Sequence, residues 1–275
     1  MQRLALTPAR GPSLRAAPAA FCLWPLLSLC LAGAGCAATD EADAPGARLV
    51  RFGVLAAPQI GEEPIGEEGW TPEDLLLEAV TGLSAEPDLS FVAVPGPLLQ
   101  WDAGAAEAAR AERAEQLVGA LGSLAAPTFP ALGPKDPPEL VAALKLLPNH
   151  PGEVSYWGRP VDGLRPVVLD VTGPLPTADP GEEALEGREL VLIHAAPVLP
   201  ALPDDVIALE VTSGDEVRLA HEAGRARLTL PPLTRPPHLY AIVELEGGVL
   251  RVLLRSATGA PVPEAPAPIT LVPSP

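Results

Sequence analysis

The stretch Arg51-Phe52-Gly53-Val54-Leu55-Ala56-Ala57-Pro58-Gln59-Ile60-Gly61 carries the most structural information in this 275-residue chain. It lies at the end of an apolar run, Leu49–Ala56, which stops at a Pro-containing loop. Short apolar runs bounded by Gly or Pro have the sequence form of buried strands. Leu89–Val94, Thr128–Leu132, Pro166–Val171 and Leu190–Ile193 share that form, and the first two runs are expected to be neighbours in one sheet. Between them, Pro72–Leu83 reads as a helix. Thr71 supplies an N-cap, Pro72 suits the first helical position, and Glu73 and Asp74 place acids in the first turn. Ala105–Leu121 and Pro138–Leu147 are further helical segments. The second half adds strands at Ile207–Val211, Arg225–Leu230, Tyr240–Glu244 and Leu250–Leu254, with Glu246-Gly247-Gly248 as the hairpin turn joining the last two. Strand–helix alternation followed by a β-rich end gives an α/β class, a sheet sandwich with outer helices. From Pro261 the chain is rich in Pro and Ala and reads as extended or loosely held.

The chain contains no P-loop, no dinucleotide glycine fingerprint, no Gly-x-Ser-x-Gly elbow and no Cys/His zinc spacing. It does contain an ordered series of strand ends. The first is Ala56-Ala57-Pro58-Gln59-Ile60-Gly61. The second is Pro87-Asp88-Leu89-Ser90-Phe91-Val92-Ala93-Val94-Pro95-Gly96-Pro97. The third is Ala126-Pro127-Thr128-Phe129-Pro130-Ala131-Leu132-Gly133-Pro134-Lys135-Asp136. Gly163–Asp170 and Glu189–Pro197, with His194 at its strand end, follow, and Ser213-Gly214-Asp215-Glu216-Val217 closes the series.

In order and spacing this series resembles the calcineurin-like metallophosphoesterases, whose metal-binding residues sit in loops after successive strands. The resemblance spans about Leu49 to Leu254 and implies a metallophosphoesterase-like β-sandwich flanked by helices, a domain over residues 48–256 with a tail over 257–275. It also implies which positions would bind metal. Ala57 stands where the family has Asp, Gln59 where it has His, and Pro97 where it has the bridging Asp. Pro134 and Lys135 take the places of the ligand Asn and catalytic His, while Gly133 and Asp136 match. His194 is the one ligand retained, and the motif around Asp215 lacks both histidines.

A dinuclear phosphoesterase needs carboxylates and imidazoles that hold two cations about 3.5–4 Å apart. Ala57 has no donor atom, and Pro97 has neither a side-chain ligand nor an N–H. Gln59 and His194 could each give one neutral ligand, and Lys135 adds a fixed cation where metal would sit. The expectation is therefore a vestigial site with no catalytic residues, no metal and no cofactor, in a non-catalytic binding or structural module. The other reading is an active phosphoesterase with a rearranged site around His194, Asp136 and Asp215. By itself His194 reads as a hydrogen-bonded structural histidine. Lys135 and Asp136 read as a solvated loop pair, and His150, His221 and His238 as surface positions. Trp101, Trp157, Tyr156 and Tyr240 read as core or cleft-lining aromatics.

Residues 1–35 hold Arg3, Arg10 and Arg15, no Asp or Glu, an apolar stretch from Ala16 to Ala32 broken by Pro18 and Pro25, and a small-residue end. That is the form of a secretory signal peptide, too short and broken for a permanent span of about 20 apolar residues. Small residues running into Cys36 resemble a bacterial lipobox. Lipidation at Cys36, with a linker over 36–47, is the expectation, and cleavage near Ala34 is the other reading. Because Cys22 and Cys30 lie in the leader, Cys36 would be the one thiol of the exported chain, and acylation accounts for it. The implied location is the cell envelope, held to a membrane through the lipid alone, with an envelope protein or ligand of unknown identity as partner. A formal net charge of −17, more negative still without the leader, argues against nucleic acid.

Overall fold

The computed structural model describes residues 49–61, 69–100, 106–134, 136–148, 150, 156–157, 159, 161–169, 189–194, 208–222 and 225–271. Cys36, Trp101 and Lys135 lie outside the described residues, as does the side chain of Trp157. No described helix is long and apolar enough to cross a membrane.

The first half alternates strand and helix as expected: β1 Val50–Val54, α1 Pro72–Ala85, β2 Val92–Pro95, α2 Glu107–Gly122, β3 Thr128–Ala131 and α3 Pro138–Leu144. Next come β4 Tyr156–Trp157, β5 Leu164–Leu169, β6 Glu189–His194, β7 Ala208–Ser213, β8 Arg218–Glu222 and β9 Arg225–Leu230. The end is β10 Leu239–Glu246, β11 Val249–Ser256, β12 Pro261–Val262 and β13 Ile269–Thr270. One sheet runs β12-β11-β10-β1-β2-β3, with β13 also on β11, and the other runs β4-β5-β6-β7-β9-β8. In the first, β1, β2 and β3 are parallel neighbours, while β10 joins β1 antiparallel. In the second, β5, β6, β7 and β9 are parallel, and β4 and β8 are antiparallel edges.

Side-chain alternation explains why the two sheets stack. Phe52, Phe91 and Phe129 belong to a core shared with Val168, Ile193 and Leu228 of the second sheet. Phe52 stacks on Phe91 at 4.6 Å, and Phe91 meets Phe129 edge-on at 5.6 Å. Residues of opposite parity, Leu55, Val92, Val94 and Ile242, form a second core with Leu76 and Leu83 of α1 and Leu117 of α2. The expected α/β sandwich flanked by helices is thus the architecture observed.

Local signals fare well where their chemistry is local. Thr71 caps α1 through a reciprocal box: its Oγ1 accepts from Asp74 N at 3.1 Å, and Asp74 Oδ2 accepts from Thr71 N at 3.0 Å. The Thr71 hydroxyl also donates to Asp74 Oδ2 at 2.7 Å, and this bond, followed by the one from Thr71 N, lowers the Asp74 pKa from its ordinary value. The hairpin turn falls at Gly247 and Gly248, with φ of 57° and 75°.

Four expectations are corrected. The strand expected from Leu89 begins at Val92: Asp88 adopts φ 54°, and before the strand proper the chain already meets β1 through Ser90 N to Arg51 O at 2.8 Å and Gly53 N to Phe91 O at 2.9 Å. The helix expected to reach Leu147 ends at Leu144 and continues as turns. The segment beyond Pro261 is not loosely held: β12 and β13 pair with β11, and Leu271 is buried. His150 is half-buried rather than a plain surface residue, packing edge-on against buried Tyr156 at 4.9 Å. Burial, with Lys145 nearby, lowers its pKa to about 4.

Candidate functional site

The carboxyl ends of β1, β2 and β3 lie side by side because those strands are parallel neighbours, so their following loops share one edge of the sheet. Ala57 follows β1, Pro97 follows β2, and Gly133 and Pro134 follow β3. Backbone bonds stitch these loops together. Ala57 N donates to Pro95 O at 2.7 Å, Ile60 N to Leu98 O at 3.2 Å, and Gly96 N to Ala131 O at 2.8 Å. Ala57 and Gln59 hold φ of 41° and 49°, conformations uncommon for non-glycine residues. Such strain persists where the surroundings over-determine it. Here Leu233 N donates to Ala56 O at 2.9 Å, and Thr234 Oγ1 donates to Gln59 Oε1 at 2.8 Å.

At the centre stands Asp136. Its carboxylate accepts from Leu98 N at 2.8 and 2.9 Å, from Leu99 N at 2.8 Å and from Gly133 N at 2.7 Å. One side chain therefore clamps the loop after β2 to the loop after β3. The loops approach so closely that a Cβ on Gly133 would come within 2.6 Å of Pro97 Cα, and one on Gly96 within 2.5 Å of Gly133 N. Both glycines are required by the backbone approach itself. The reading of Asp136 as half of a solvated loop pair is accordingly corrected.

The second sheet reaches the same place. Ser213, at the end of β7, donates its hydroxyl to Gly96 O at 2.6 Å. Asp215, two residues on, is 96% exposed at its side chain and pairs with Arg235 at 2.8 Å. His194 ends β6, and the register Ile193↔Val211 sets it level with Thr212, one residue before Ser213. Val191 and Ile193 face the inter-sheet core, so alternation turns the buried His194 to the opposite face, with Leu192. On that face Leu192 is paired in register with Glu210, a buried carboxylate that bonds Arg227 at 2.5 Å.

The structure thus joins Ala57, Gln59, Pro97, Gly133, Pro134 and Asp136 into one cluster, reached from the other sheet by Ser213. His194 points by alternation to the far face, and Asp215 belongs to the exposed rim. Among the described residues no group of three His, Cys, Asp or Glu side chains is placed to hold a metal ion. Among the described residues of this cluster, the side chains do not fit a dinuclear centre. Both oxygens of Asp136 accept backbone N–H groups, Gln59 Oε1 accepts from Thr234, and Ala57 and Pro97 offer no donor. Sequence reasoning missed Ser213 and Thr234 as cross-sheet ties. Their acceptors are a backbone carbonyl 117 residues away and a side chain 175 residues away, which no local pattern signals.

Among solved structures, one aligns at 12% identity with a TM-score of 0.52, covering 76% of this chain and 99% of its own, a likeness of fold alone. The protein TT1561 of Thermus thermophilus aligns at 14% identity and TM-score 0.47 over 73% of this chain and 99% of its own. A conserved uncharacterized protein from Streptococcus pneumoniae, a predicted phosphoesterase, aligns at 9% and 0.42 over 81% and 98%. No protein-family model matches the sequence, and no curated protein matches it.

Proposed function

We propose that this chain is a metallophosphoesterase-like protein without the dinuclear site, exported and lipid-anchored at Cys36, that works as a non-catalytic binding or structural module in the cell envelope. The observation that carries the reading is the bonding of Asp136. At the place where the family resemblance puts a metal-binding loop, the matching carboxylate is committed to three backbone N–H groups. The identities of Ala57 and Pro97 support it, because neither offers a ligand atom in place of the terminal and bridging carboxylates. The leader, the small residues before Cys36 and the acidic charge support export and anchoring. The partner is then an envelope protein or ligand on the same membrane, to be sought before any diffusible phosphate ester, and not nucleic acid.

The test is the metal content and turnover of the purified chain. Manganese, iron and zinc should each be well below one equivalent, and phosphomonoesters and diesters should not be hydrolysed above background. Metal-dependent turnover that His194→Ala abolishes would overturn the reading. For the anchor, labelled fatty acid should be incorporated by the wild type and lost in Cys36→Ala; wild-type protein free in the soluble exported fraction would remove it.

A further inference from the structure

The edges of the two sheets are not alike. The edge strand β3 contains Pro130, which has no N–H to offer. At the other end of that sheet, β12 starts with Pro261 and, together with β13, covers β11. In the second sheet β4 is two residues long. Each of these edges is protected by a familiar device: proline, a short strand or a covering segment. By contrast β8, Arg218-Leu219-Ala220-His221-Glu222, has five residues without Pro or Gly, and among the described residues it pairs with β9 alone. Arg218 and His221 on it are exposed.

We propose that β8 is a self-association edge, pairing antiparallel with β8 of a second copy of this chain so that two six-stranded sheets continue into one across a two-fold axis. The strand is complementary to its own reverse. With Ala220 on the axis, Arg218 stands opposite Glu222 of the second copy, and Leu219 opposite its His221. Opposed residues in a continuous antiparallel sheet share a face, so the register can move only in steps of two. One step sets Arg218 or Glu222 against Ala220. Two steps set Arg218 against Arg218 or Glu222 against Glu222, which like-charge repulsion disfavours. Only the register centred on Ala220 pairs both charges, and it does so twice by symmetry. Leu219 already packs against the inter-sheet core, which fixes the face presented. The net charge of −17 repels two copies in general, and Arg218, Arg225 and Arg227 on β8 and β9 offset part of that repulsion at this edge, although Arg225 and Arg227 also pair with Glu210.

The experiment uses the full chain in mild detergent. Ala220→Cys places a thiol on the axis, where directly opposed Cα atoms about 4.5–5.5 Å apart suit a disulfide. Under copper phenanthroline it should form a covalent dimer at least tenfold faster than the wild type, whose own cysteines set the background. Leu77→Cys, at an exposed position on α1, should match the wild type. Adding Arg218→Glu should slow cross-linking about tenfold, and Glu222→Arg on top should restore it. By sedimentation equilibrium, without any added cysteine, Arg218→Glu should shift the population toward monomer. The proposal is overturned if Ala220→Cys reacts no faster than Leu77→Cys, or if the wild type and Arg218→Glu are equally monomeric.

Discussion

Two polar clusters tie this sandwich together at different places and with different donors. At the strand ends, Asp136 meets backbone N–H groups of Leu98, Leu99 and Gly133. Beside the end of α1, Glu86 meets arginine side chains, Arg51 at 3.0 Å and Arg255 at 2.9 Å, and Arg51 also bonds Glu244 at 3.1 Å. The first cluster uses donors whose positions the strands have already fixed, so little entropy is spent in ordering them. The second uses long side chains that are 14–20% exposed, so solvent and salt reach it. The lesson concerns sign. The loops after β2 and β3 are tied by one anion whose two oxygens both accept backbone N–H groups, whereas the cluster beside α1 is tied by cationic side chains.

The largest effect is expected from Asp136→Ala. It orphans three N–H groups at closely packed loops, where each unsatisfied buried donor costs about 1–3 kcal/mol. A loss of about 4 kcal/mol in denaturant unfolding is expected, with Asp136→Asn losing about half, because its amide cannot accept at both oxygens. A loss under about 1 kcal/mol for Asp136→Ala would mean that the strand ends do not depend on this carboxylate. Next in size is Gly133→Ala. Its methyl would stand 2.6 Å from Pro97 Cα, a backbone atom that cannot rotate away. About 3 kcal/mol should be lost, and the loops can relieve the clash only by separating and stretching the bonds to Asp136.

The amino-acid pattern revealed unequal parts of this. Arg225–Leu230 was legible to the residue, and β1 and β3 nearly so, because buried parallel strands are continuous apolar runs with clear ends; β2 was found but its start was misplaced by three residues. Strand β8 was not seen, since Arg-Leu-Ala-His-Glu on an edge has little apolar content. The pairing of β10 beside β1 and of the tail with β11 was hidden as well. Ladder partners far apart in sequence leave no local mark, and Pro/Ala-rich composition suggests a loose tail. At the candidate site the sequence shows only that Ala57 and Pro97 carry no side-chain ligand atom. The role of Asp136 was not legible, because its partners are backbone groups that every residue but proline has.

The contrast is sharpened by Glu86→Ala, which leaves Arg51 and Arg255 partly buried without that carboxylate. About 2 kcal/mol should be lost, discounted for exposure. Raising salt to about 1 M should shrink this difference, because the wild-type ion pairs are then screened, and should leave that of Asp136→Ala unchanged. A smaller effect separates burial from pairing. His150, lowered to about 4, is neutral in both folded and unfolded chains above pH 6.5 and costs nothing there. As pH falls from 6.5 toward 4 the unfolded chain takes the proton first, so stability is lost over that window, by about 1 kcal/mol after allowance for its partial exposure. His150→Phe keeps a ring against Tyr156 and should flatten the pH dependence between about 6.5 and 5, read as the difference in melting temperature from the wild type.

The smallest expected effect is at Asp215, and it draws the boundary of the strand-end cluster. Asp215 lies two residues beyond Ser213, which bonds Gly96 O, and its partner Arg235 adjoins Thr234, which bonds Gln59. By sequence distance it should belong to the cluster. Its physics says otherwise: the side chain is 96% exposed and that of Arg235 is 50% exposed, so attraction acts through water and holding two mobile side chains together offsets it. Asp215→Asn should therefore move the melting temperature by less than about 1 °C. Metal content should be the same before and after, because an exposed carboxylate paired with arginine is not a ligand. A drop of several degrees would place the rim inside the cluster. A loss of bound metal would show that the rearranged site around Asp215 exists and that Asp136 is not the group that organises these loops.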